Sequence, residues 1–155
     1  MTLVACWPNS PIELYCATDS RLTNTTSHNV LTETRAKLFI IPARCEYVGP
    51  AKRKKDVIYS LGFAFTGSSL LANNAHALTS TLTQQIVAYE ANFIPTAHTV
   101  AKIYAECAKH VILDINFRLH EKDRQMFGAF ILGYCPVLKG LCNYSIKPML
   151  SSQST

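Results

Sequence analysis

The sequence predicts an α+β domain built on a largely antiparallel sheet, and three observations carry that expectation. β-Prone runs fill the first part of the chain and return near its end, while the stretch between them changes to an apolar period near 3.6. The order is therefore four strands, two helices and two strands, a segregation that belongs to α+β architecture rather than to alternating βαβ units. A length of 155 residues suits one domain, residues 1–155, and 48% apolar against 16% charged residues excludes a disordered chain.

Thr2 to Trp7 reads as a short strand, Pro8-Asn9-Ser10-Pro11 as a turn and Ile12 to Thr18 as a second strand, together a hairpin. Thr23 to Asn29, rich in Thr, Asn and Ser, reads as an irregular loop. Lys37 to Ile41 is a third strand closed by Pro42, and a fourth runs from about Val57 to Thr66 and leaves at Gly67. Ser68 or Ser69 then caps a helix whose apolar face is Leu71, Ala75, Leu78, Leu82, Ile86 and Tyr89. Pro95 and Thr96 start a second helix with the stripe Val100, Ile103 or Tyr104, Cys107, Val111 and Ile115. Arg118 to Gln125 is a polar loop. Phe127 to Cys135 and Leu141 to Ile146 are the last two strands, and a polar tail follows from Ser151.

Fifteen Lys and Arg against ten Asp and Glu give a net charge of +5. Four of the basic residues form the run Lys52-Arg53-Lys54-Lys55, without which eleven stand against ten. An excess held in one hairpin tip is not the spread basic face of a nucleic-acid binder, so no nucleic-acid partner is expected. Met1 to Trp7 has no basic lead-in and meets Pro8, unlike a signal peptide, and no apolar run approaches the ~20 residues that span a bilayer. No membrane partner is expected. The six cysteines show neither a C-x-x-C pair nor zinc spacing, and the five histidines show no metal spacing. The expectation is reduced cysteines packed in the core, a cytoplasmic protein, and no metal or cofactor. Cys135 and Cys142 can face each other across the last hairpin, as packing partners rather than as a bond.

Thr2 is the candidate nucleophile, on a condition. Removing Met1 gives Thr2 both a hydroxyl and a free α-amine, whose reference pKa of ~7.7–8.0 suits a general base near neutral pH. Such a threonine needs a cation to lower the hydroxyl's pKa and a carboxylate to hold that cation. Lys37, opening the third strand, and Asp19, just after the second, are placed for those roles, because adjacent strands lie about 5 Å apart. The Gly67 amide, where a strand becomes a helix, offers a donor to an oxyanion. A glycine there also serves a tight turn, and the two roles are compatible.

In these residues the chain resembles the N-terminal nucleophile hydrolases of the proteasome class, the proteasome β-subunits and their bacterial relatives. The likeness is carried by Thr2 opening a strand, by Thr18-Asp19-Ser20-Arg21-Leu22-Thr23, by Ala36-Lys37-Leu38-Phe39-Ile40-Ile41, and by Phe63-Ala64-Phe65-Thr66-Gly67-Ser68 before two long helices. It runs from Thr2 to about Pro148. The resemblance implies an αββα sandwich of antiparallel sheets with flanking helices. It implies amide hydrolysis through an acyl-ester on Thr2, with Asp19 orienting Lys37. Thr23 would bind substrate backbone, Gly67 would supply the oxyanion N–H, and Phe65 would help line the pocket for the side chain before the scissile bond.

Members of that class continue past the last strand with further strands and helices, including an auxiliary serine and aspartate beside the threonine. The sequence to Thr155 does not reach those elements, so one sheet face is expected to lack its cover and to be buried against another chain. The implied partners are a peptide or protein substrate, further copies in a ring-like homo-oligomer, and an unidentified activator. The rival reading is a proteasome-like ring-forming subunit without activity.

Overall fold

The computed structural model describes residues 3–23, 29–32, 34–48, 56–90 and 93–147. Thr2, Asn24 to His28, the basic run Lys52 to Lys55 and the tail from Pro148 lie outside the described residues.

Strands β1 (Val4–Ser10) and β2 (Glu13–Thr18) form an antiparallel hairpin in which Cys6 faces Cys16 and Trp7 faces Tyr15. The hairpin lies at the surface, so Cys6 is exposed and Cys16 only partly buried, against the expectation of core cysteines. The strand runs through Pro8, with a register shift before Ser10, so the reversal falls at Pro11 and Ile12 and not at Pro8. The expected polar loop, Thr23 to Asn29, is flanked by a small antiparallel pair, β3 (Leu22–Thr23) and β4 (Val30–Thr32), which takes in only its first residue. The main sheet has the order β7-β5-β6-β8-β9, from β5 (Leu38–Tyr47), β6 (Asp56–Gly67), β7 (Ile86–Ala88), β8 (Phe127–Cys135) and β9 (Gly140–Ile146). All its pairings are antiparallel except the short β5–β7 pairing, which is parallel.

Pro42 does not end its strand. Its carbonyl accepts from the Thr83 hydroxyl at 2.9 Å, so its nitrogen faces the same outer side of β5, where β7 begins only opposite Cys45. A proline costs no ladder bond at such an edge.

Helices α1 (Ser69–Thr83) and α2 (Ala97–Phe117) cover one face of the sheet. Ser68 caps α1 and Thr96 caps α2, each accepting from a backbone N–H three residues on. Under them lies a core of Ile41, Ala43, Leu61, Phe63, Phe65, Leu71, Val100, Tyr104, Phe127 and Ile131. α2 buries Val100, Tyr104 and Cys107 of its expected stripe. α1 buries Leu71 and Ala75 of its expected face together with Ala72, Thr79 and Thr83, while Leu78 and Leu82 are exposed, Ile86 belongs to β7 and Tyr89 follows it, exposed. A 3-10 turn, Glu121–Asp123, sits in the loop after α2.

Strand alternation sends Ile40 and Ile58 to the sheet face away from the helices, where they are 72% and 68% exposed. The β1–β2 hairpin approaches β6 and β8 and so shelters only part of the molecule beyond the helices. Among the described residues no helix is long and apolar enough to cross a membrane.

Candidate active site

Leu3 is one residue ahead of β1 and Asp19 one residue past β2, so the hairpin ladder brings them opposite each other. The Asp19 N–H donates to the Leu3 carbonyl at 3.1 Å. The return bond goes to a side chain: the Leu3 N–H donates to Asp19 Oδ1 at 2.8 Å. Asp19 therefore ends the ladder with its carboxylate and keeps Oδ2 for another partner.

That partner is Lys37. Its Nζ lies 3.0 Å from Asp19 Oδ2 and donates to the Arg21 carbonyl at 2.6 Å. Only 3% of the Lys37 side chain is exposed, and a lysine is buried to that degree only when its charge is met. Partial burial pushes the Asp19 carboxyl up, but the hydrogen bonds from Lys37 and Leu3 and the Lys37 charge outweigh it. The carboxyl is held below its ordinary range.

Lys37 is fixed from the sheet side as well. The Phe65 N–H donates to the Lys37 carbonyl at 3.3 Å, so Lys37 stands beside β6 at the end where that strand reaches Gly67. Gly67 has φ +91°, and a Cβ there would meet the Met126 carbonyl oxygen at 2.5 Å. Only glycine fits that crossing. The Ser68 N–H donates to the same Met126 carbonyl, and the segment is pinned by Asn116, which bonds both the N–H and the carbonyl of Gln125. An open groove of about 450 Å³ runs beside Lys37, lined by Thr18, Ser20, Thr34, Arg35, Ala36 and Leu38.

Of the sequence candidates, Asp19 and Lys37 are in direct contact, and Gly67 is at the same end of the sheet. Thr2 lies outside the described residues; its neighbour Leu3 carries the Asp19 contact. The Thr23 backbone is in β3, paired with Val30. Phe65 is 1% exposed and stacks on Phe39 at 6.2 Å in the core, not on the groove, because alternation points it toward the helices. The sequence reading missed two supports. The Arg21 carbonyl is a main-chain acceptor with no side-chain signature, and the Asn116–Gln125 clasp joins residues assigned to a helix end and a loop. Among the described residues no group of three or more His, Cys, Asp or Glu is arranged to hold a metal ion.

No protein-family model, curated protein or solved structure matches this chain.

Proposed function

We propose that the chain is a threonine-type peptidase or amidase of the N-terminal nucleophile class, working from Thr2 once Met1 is removed. One observation supports this reading most. A buried lysine ammonium is held by a carboxylate whose other oxygen binds the residue that follows Thr2. An N-terminal threonine unites nucleophile and base, and it needs such a cation beside it. Lys37 is that cation and Asp19 its positioning residue.

The Thr2 hydroxyl adds to the substrate amide carbon and its proton passes to the α-amine. The Gly67 N–H meets the oxyanion. Collapse breaks the C–N bond, the amine returns its proton to the leaving nitrogen, and an acyl-ester remains on Thr2. Water, deprotonated by the same amine, then releases the acid. Thr23 binds substrate in extended form, and Phe65 supports the site from within the core. On this reading β7-β5-β6-β8-β9 and its helices are one half of an αββα sandwich, and β1–β2 begins the other half. The protein then works in the cytoplasm as a ring-like homo-oligomer, on peptide substrates and with an activating partner.

The test combines intact mass with turnover of a peptide-amide reporter. Loss of Met1 is expected, with activity rising through the amine's titration near pH ~7.7–8.0. Thr2→Ala abolishes turnover, Thr2→Ser keeps a lower rate, and Lys37→Ala loses about 100-fold or more. Undiminished turnover in Thr2→Ala overturns the mechanism. A retained Met1 with no turnover in any form favours the ring-forming subunit without activity.

A further inference from the structure

Two thiols outside the candidate site lie against each other on its supporting hairpin. Cys6 of β1 and Cys16 of β2 are directly opposed in the antiparallel ladder, with their Sγ atoms in hydrogen-bond contact at 2.7 Å. The other four cysteines are differently placed. Cys45, Cys107 and Cys135 are buried, and Cys142 donates its S–H to the Gly133 carbonyl at 3.2 Å. All six are free thiols.

We propose that Cys6 and Cys16 are a dithiol/disulfide couple, oxidised by peroxides to a cross-strand bond that clamps β1 to β2. Directly opposed residues of an antiparallel pair fall within the Cα separation that a disulfide requires, so the bond forms without moving the backbone. The order of attack follows from exposure. Cys6 is exposed, and Cys16 is partly covered, its thiol pushed up to about 12 by burial and by the neighbouring Cys6. Cys6 therefore supplies the attacking thiolate. Its sulfur displaces hydroxide from the peroxide O–O bond and becomes a sulfenic acid. Cys16 sulfur then attacks the Cys6 sulfur and loses its proton to the departing hydroxide, so water leaves and the S–S bond forms. The two thiols give up two electrons, and one hydrogen peroxide becomes two waters. A small-molecule thiol reverses the reaction by exchange.

The clamp bears on the candidate site through geometry alone, since β1 begins one residue after Leu3 and β2 ends one residue before Asp19. The couple itself does not rest on the hydrolase reading.

The test treats the full chain with hydrogen peroxide in modest excess, followed by thiol counting and non-reducing peptide mapping. Two of the six thiols are lost, the peptide bearing Cys6 is linked to the one bearing Cys16, and dithiothreitol restores both. Cys16→Ser stops at a sulfenic acid on Cys6 that a dimedone probe captures, and Cys6→Ser leaves Cys16 largely unreacted. The chain's one tryptophan, Trp7, adjoins Cys6, so its emission changes on oxidation in the wild type and stays constant in Cys6→Ser. Cross-links scattered among other cysteines, or over-oxidation of Cys6 with no link to Cys16, overturn the proposal.

Discussion

Lys37 and Asp19 form a pair in which neither charge stands well without the other. Lys37→Met removes the cation and leaves a partly buried carboxylate, so the protein is expected to lose about 2–4 kcal/mol in a denaturant titration. Asp19→Asn added to that variant recovers part of the loss, because the stranded charge is gone. Acid should expose the same pair. The Asp19 carboxyl titrates lower in the folded than in the unfolded chain. Its contribution is complete above the unfolded value, about pH 4, and is lost as the pH falls through the folded value. Asp19→Asn alone therefore flattens the acid limb of the stability curve below about pH 4.

His76 behaves comparably at milder pH. Its ring packs over the neighbouring rings of Phe39 at 4.9 Å and Phe63 at 5.1 Å, with Nδ1 3.0 Å from the Tyr104 hydroxyl. Burial lowers its pKa, so the unfolded chain takes up the proton first and stability falls as the pH drops below about 6.5. His76→Phe strands the Tyr104 hydroxyl, costing about 1–3 kcal/mol at pH 8, yet removes that slope between about pH 6.5 and the acid limb. A melting series across pH reads both effects. An unchanged slope in the variant rejects the assignment to His76.

At the scale of elements, α1 shows where sequence periodicity misleads and why. Apolar letters at 71, 75, 78 and 82 suggest one stripe, but the buried side turns by one position to take in Thr79 and Thr83. Those hydroxyls are satisfied, Thr79 on the Ala75 carbonyl at 2.6 Å and Thr83 on the Pro42 carbonyl at 2.9 Å, so burying them is cheap. Thr83→Val keeps the shape and strands the Pro42 carbonyl, which should cost about 1–3 kcal/mol in thermal or chemical unfolding. Leu82→Ala, exposed on the other side of the helix, should stay within about 0.5 kcal/mol. Equal costs in the two variants would mean that the helix is turned otherwise. The same contact explains Pro42. A stop signal in the sequence became an edge position because a side-chain hydroxyl, invisible to strand patterning, occupies the outer side of β5. β7 was illegible for a related reason. Its three residues follow a helix and carry the helix's own apolar letters, and only pairing with Cys45 to Tyr47 makes them a strand. The Asp19–Lys37 contact was legible as a pair of residues but not for the reason of strand adjacency, since β1–β2 is a sheet of its own and the contact is made by residues just outside β2 and β5, across the two sheets.

At the scale of the whole molecule, the helices cover one face of the sheet and leave the other incompletely covered. Ile40 of β5 and Ile58 of β6 stand far out on that second face, with Arg44 exposed on β5 directly opposite Ile58. Scattered apolar side chains on a surface are ordinary, but two β-branched residues standing out from adjacent strands on one open sheet face offer material for an interface. The sandwich implied by the resemblance places a second sheet here, and where that sheet is not supplied by the same chain a second copy can supply the contact. Light scattering at micromolar concentration is therefore expected to give a mass above that of one chain. Replacing Ile40 and Ile58 together with Glu should return it to a monomer, because two carboxylates would have to be desolvated in the contact. Circular dichroism of that variant should stay unchanged, since both side chains already face water in the single chain. A monomeric wild type defeats the expectation of self-association. A double variant that stays assembled locates the contact elsewhere, with the outward Leu78 and Leu82 of α1 and Phe117 of α2 as the next surface to alter.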